Sequence, residues 1–128
     1  MSDFSFGKSS RLLKAEDFQG VFDAAEFKAS TGEILFLARR GSSNQARLGL
    51  VIGKRNIRLA ADRNLIKRII RESFRHKQSE LAGLDVIVLA RRNLDQLNKR
   101  AIRASCDACW KKLIRRAGTS SPTQSDKT

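Results

Sequence analysis

Residues Asp62 to Lys77 read DRNLIKRIIRESFRHK, and the arrangement of the rest of the chain follows from this segment. At about 100° per residue, Leu65, Ile66, Ile69, Ile70 and Phe74 fall on one side of a helix. Arg63, Asn64, Lys67, Arg68, Arg71 and Arg75 fall on the other. Arg63, Lys67, Arg71 and Arg75 are spaced by four, so their side chains form one row. After Asp62 the only acid is Glu72, placed to pair with Arg68 one turn back or His76 one turn on. Like charges at this spacing cost an isolated helix ~0.2–0.5 kcal/mol per pair. Such a row is either a solvated face or a dock for a polyanion. Solvated faces usually mix signs and this one hardly does, which favours the dock.

On the N-terminal side of this helix, Arg47 to Arg55 (RLGLVIGKR) reads as a strand. Leu48, Leu50 and Ile52 share one face. Gly49 and Gly53 share the other with Val51 and leave room for close approach. Glu33 to Arg40 (EILFLARR) is a second strand, with Ile34, Phe36 and Ala38 on one face and Leu35 and Leu37 on the other. Gly41 to Gln45 between them has hairpin-loop chemistry. Ser30-Thr31-Gly32 is a turn, with a short extra strand near Phe27 to Ser30. Ala15 to Ala25 forms a short amphipathic helix with Phe18, Val21, Phe22 and Ala25 on one side. Glu16 and Asp17 sit in its first turn, where carboxylates suit the helix dipole. Gly20 costs this helix up to ~1 kcal/mol relative to alanine, so packing must hold it.

On the C-terminal side, Gly83 stops the helical pattern and Leu84 to Ala90 (LDVIVLA) suits a strand buried on both faces. A strand–helix–strand order makes the flanking strands parallel. Asp95 to Ala117 is a long helix closed by Gly118. The element order α-β-β-α-β-α, with helices against one face of a mixed sheet, defines a two-layer α+β sandwich. Residues 11–117 form a single domain, between a flexible start at residues 1–10 and a disordered tail at 118–128.

Composition agrees. The 128 residues include 26 Lys+Arg against 13 Asp+Glu, a net charge of +13. That excess points to nucleic acid first and an anionic membrane surface second. No apolar run approaches the ~20 residues of a membrane span, so a soluble, cytoplasmic protein with no membrane partner is expected. Cys106 and Cys109 have CxxC spacing, but a single histidine and no second pair exclude a closed zinc site within one chain. They read as buried free thiols on a helix core face. Catalytic and metal-ligating residues are expected to be none, since the acids are scattered and no nucleotide-binding loop occurs. A basic helix meets RNA through shape and backbone. About six phosphates engaged would give log K a slope of roughly −5 against log[salt]. Phe18, Phe22 and Phe36 are either a stacking surface for single-stranded bases or plain core.

Four stretches resemble the protein subunit of bacterial ribonuclease P. Arg11-Leu12-Leu13-Lys14-Ala15-Glu16-Asp17-Phe18 with Val21-Phe22 resembles RLxKxxDFxxVF. Arg47 to Ile52 with Lys54-Arg55 resembles RxGLxxxKK. Ala60 to Arg75 resembles AxxRNRIKRxxRExFR. Asp85 to Arg91 resembles DxVVxAR. One position departs: Leu65 stands where the motif has arginine. The resemblance implies a left-handed parallel crossover through the signature helix, against the usual right-handed preference. It implies that Arg63, Asn64, Lys67, Arg68, Arg71 and Arg75 meet the catalytic RNA subunit. It implies that Phe18, Phe22 and Phe36, with Lys54 and Arg55, line a cleft for the 5′ leader of precursor tRNA. The RNA subunit with bound Mg²⁺ would then cut the leader, and the protein alone would be a monomer. The other reading is a general basic RNA-binding or ribosome-associated protein without a catalytic RNA.

Overall fold

The computed structural model describes residues 15–41 and 44–118. The expected flexible start, the Arg11–Lys14 lead-in, Ser42, Ser43 and the expected tail beyond Gly118 lie outside the described residues.

Helix α1 spans Ala15–Asp23. Strands follow at β1 (Phe27–Ser30), β2 (Ile34–Arg40) and β3 (Arg47–Val51). Helix α2 spans Ala60–Lys77, and a 3₁₀ turn at Gln78–Leu81 leads through Gly83, at φ 86°, into β4 (Leu84–Ala90). A second 3₁₀ turn at Leu94–Gln96 precedes α3 (Lys99–Gly118). The single long helix expected from Asp95 is therefore broken. Leu97 is extended, and the Asn98 side chain accepts a 2.8 Å hydrogen bond from the Ala101 N–H, the preferred chemistry for starting a helix.

The sheet order is β1-β2-β4-β3. β3 lies parallel to β4, and the other neighbours are antiparallel. The expected β2–β3 hairpin does not form, because β4 lies between them. The reason is burial: six of the seven β4 residues are buried, so β4 takes a central place and leaves the shorter strands at the edges. The loop after β2 bonds instead to the turn before β4, with the Gly41 N–H donating to the Gly83 carbonyl at 2.7 Å.

One sheet face carries Ile34, Phe36, Ala38, Leu48, Val86 and Val88, and packs against Ile66, Ile70 and Phe74 of α2 and Ile102, Cys106, Trp110 and Leu113 of α3. Trp110 is the centre. Its ring lies 4.6 Å from Phe36, edge-on at 78°, and 5.7 Å from Phe74. Its indole N–H donates to Ser73 Oγ at 2.8 Å, and Ser73 donates to the Ile70 carbonyl, so both buried polar groups are satisfied. Cys106 and Cys109 are buried free thiols beside it. Burial pushes them up to about 12 and about 11 respectively, so both stay protonated and inert at neutral pH.

The other sheet face is not bare. Val21 of α1 packs with Leu37 and Ile87, flanked by Phe18, Leu35 and Leu89. The expectation that all helices share one face is corrected on this point: the two long helices do, and α1 lies opposite. Alternation along β2 requires this, since Leu35 and Leu37 need a cover that α2 and α3 cannot supply.

Candidate nucleic-acid interface

The first surface is the outer side of α2. Ile66, Ile70, Ser73 and Phe74 are buried on its inner side. Asn64, Arg68 and Arg71 are exposed, and Arg63, Lys67 and Arg75 are half-buried. Among the described residues, Lys67, Arg68 and Arg71 have no carboxylate within ion-pair distance. The two ends of the row differ from this middle. Arg63 Nη1 donates to the carbonyls of Ile57 and Arg58, each at 2.9 Å, and so fastens the incoming chain to the first turn. Arg75 pairs with Glu72 at 2.8 Å. Glu72 thus chooses neither Arg68 nor His76, the partners its spacing suggested. The i,i+3 contact to Arg75 wins, and it leaves Arg68 unanswered.

The second surface is the sheet face beneath α1. The register lays three rows across β2, β4 and β3: Arg39, Asp85, Arg47; then Leu37, Ile87, Gly49; then Leu35, Leu89, Val51. α1 covers the middle row through Val21. The third row stays partly open, with Leu35 and Leu89 half-buried and Val51 exposed. Phe18 is half-buried against this cluster, and Phe22 is 46% exposed. Lys54 and Arg55 are exposed just past Val51. Their turn is tied down by the Ile57 N–H on the Gly53 carbonyl and by Asn56 Nδ2 on the Ala90 carbonyl, both at 2.9 Å.

Phe36 does not belong to this surface. It is 0% exposed and faces Trp110 on the far side of the sheet. The β2 alternation that puts Leu35 and Leu37 under α1 puts Phe36 away from it. The apolar side chains that share the face with Phe18 are Leu35, Leu89 and Val51. Strand parity could have found them once α1 was known to sit opposite the long helices.

The first row forms a charged clasp that the sequence did not reveal. Asp85 is 1% exposed. Arg47 grips it with two bonds, Nε to Oδ1 at 2.9 Å and Nη2 to Oδ2 at 3.0 Å, and reaches Asp17 of α1 with Nη1 at 3.3 Å. The hydrogen bond to Asp85 holds the Arg47 guanidinium more firmly charged than usual. Arg39 Nε lies 4.0 Å from Asp85 Oδ2 and has no hydrogen-bond partner. Gly20 rests on this arginine: a Cβ there would sit 2.6 Å from its guanidinium nitrogens. The glycine that weakens α1 thus lets the helix sit close to the sheet. Gly41 stands likewise, 2.6 Å from Asp85 Oδ1 by the same measure.

No three His, Cys, Asp or Glu side chains converge as metal ligands among the described residues. Asp17 and Asp85 come near one another, but Arg47 lies between them. The described residues therefore do not fit a protein-held Mg²⁺.

Fold and surfaces together define a small, strongly basic α+β domain of the RNA-binding kind. The ribonuclease P family model matches residues 6–114. The chain is 49% identical to a ribonuclease P protein component from Saccharophagus degradans, over 98% of this chain and 93% of that one. It is 46% identical to one from Pseudomonas aeruginosa, over 91% and 87%. Its fold matches the RNase P protein of Staphylococcus aureus with a TM-score of 0.75 at 27% identity, covering 84% of this chain and 99% of that one. The Thermotoga maritima RNase P protein gives 0.67 at 24%, covering 81% and 96%. The chain belongs to the ribonuclease P protein family. Membership makes it a subunit of an endoribonuclease of tRNA processing, with an RNA partner. Among the described residues, no helix is long and apolar enough to cross a membrane.

Proposed function

We propose that this subunit binds the catalytic RNA through α2 and the single-stranded 5′ leader of precursor tRNA on the sheet face beside α1. The observation that carries this reading is the middle of α2, where Lys67, Arg68 and Arg71 stand without a carboxylate partner among the described residues. Cations left unneutralised by the protein's own acids are available to phosphates, and each phosphate engaged releases counterions.

The division of labour follows from what each surface can do. Among the described residues no metal-ligand cluster forms, which supports a reading in which the RNA carries the cleavage chemistry. Mg²⁺ held there would supply the activated water. Arg68 and Arg71 offer phosphate contacts that fix the register of the two subunits. Phe22 offers a flat face on which a leader base can stack, and Lys54 and Arg55, exposed just past Val51, would meet its phosphates. Binding the leader on the protein draws precursor, rather than mature tRNA, to the holoenzyme. The protein acts in the cytoplasm and enters the assembly as a monomer.

Reconstitution tests this. Adding the chain to a ribonuclease P RNA should permit leader removal at a Mg²⁺ concentration where the RNA alone is inactive. It should also raise affinity for leader-bearing over mature tRNA. Absence of stimulation, or equal stimulation by an unrelated basic protein, would refute the assignment.

A further inference from the structure

We propose that the outer groove between α2 and α3 seats one unpaired nucleotide of the catalytic RNA. This rests on the reading above that α2 faces that RNA, and adds a site to it. The groove is open, with a volume of about 570 Å³. Leu65 and Ile69 from α2 and Ala104 from α3 give it an apolar floor, and Arg68, Lys99 and Arg100 stand around it.

Charge decides the occupant. Two acids also line the groove, and both are engaged: Glu72 accepts from Arg75 at 2.8 Å and Asp107 from Arg103 at 3.3 Å. Arg68, Lys99 and Arg100 have no such partner among the described residues. Lys99 and Arg100 also occupy the first turn of α3, which holds no acid. Cations there are opposed by the helix dipole and by each other, and an anion relieves both. A hydrated phosphate alone gains nothing from Leu65, Ile69 and Ala104. An unstacked nucleotide has both parts, a flat base for the floor and a phosphate for the rim, as RNA loops and bulges present them.

The leader is the wrong source, because α1 and its open row lie on the opposite face of the sheet. The RNA subunit shares α2 with the groove. Leu65, where the motif has arginine, then has a use: it widens the apolar floor that a base would cover.

The test measures affinity of the full chain for the catalytic RNA at several salt concentrations, with a melting curve for each variant. Ala104→Trp fills the groove from an exposed position without removing a charge. It should weaken binding about tenfold, the order of one lost stack, with the salt slope unchanged. Leu65→Ser, which only trims the floor, should weaken binding in the same direction. Arg100→Ala should weaken binding and lower the slope by about 1. If folded Ala104→Trp and Leu65→Ser both bind like the parent while Arg71→Ala is impaired, the groove is refuted and the broader reading stands. If the parent itself does not bind the RNA, both fall. Polyglutamate competing with the RNA for the parent but not for Ala104→Trp would make the groove an acidic-peptide site and overturn the proposal.

Discussion

Arg71 and Arg47 are the same residue in opposite circumstances. Arg47 lies on the sheet with Asp85 gripped by two of its nitrogens and Asp17 on a third. Arg71 stands exposed on α2 with no acid in reach among the described residues. The first holds the protein together and the second is open to another molecule. In so basic a chain, counting arginines separates nothing. The position of the described acids separates the framework cations from those open to another molecule.

The same contrast divides the aromatics, and here the expected effects are largest. Phe36→Ala should cost about 3–5 kcal/mol in a denaturant melt, since it opens a cavity beside Trp110. Phe22→Ala should change stability by less than ~0.5 kcal/mol while weakening leader-bearing precursor by ~1–3 kcal/mol in a binding assay. Equal effects on stability would erase the distinction between the two sheet faces.

Breaking the clasp comes next. Asp85→Asn leaves Arg47 half-buried beside a neutral amide and should destabilise by about 3 kcal/mol, toward the low end for breaking a buried pair. Urea unfolding would measure it. Arg71→Ala should leave the melt unchanged within ~0.5 kcal/mol and reduce the magnitude of the RNA-binding salt slope by about 1. If the two substitutions gave similar melts, neutralisation would not be what sorts the arginines.

A further effect is alkaline. Burial raises both thiols in the folded state, to about 12 and about 11, above the ~8.5 of an unfolded cysteine. Their contribution to stability is therefore complete below about pH 8.5 and is lost as pH rises through the folded values. The urea midpoint should fall between pH 8.5 and about 11, and replacing both cysteines with alanine should flatten that decline.

Much of this was legible in the sequence because its causes are local. Helical spacing fixed the inner and outer sides of α2, and strand parity placed Ile34, Phe36 and Ala38 together. The elements that sequence reading misplaced depend on partners far along the chain. β4 enters between β2 and β3 only because its own residues must be buried on both sides. The clasp joins Arg47 to Asp85 across 38 positions and to Asp17 across 30, and no local pattern announces it. Only the family resemblance puts Phe36 on the leader surface; its own parity with Ile34 and Ala38 points it the other way.

The parallel pairing of β3 with β4 has a kinetic side. The connection between these neighbours is α2 itself, so the sheet is complete only after the segment carrying this row of cations has folded back on itself. Mutual repulsion along that segment opposes its closure, and loop closure already slows non-local pairing. If α2 meets the RNA as proposed, RNA lying across the segment would offset the repulsion and serve as a splint during folding as well as a ligand afterwards. Refolding should accordingly quicken when the RNA is present from the start.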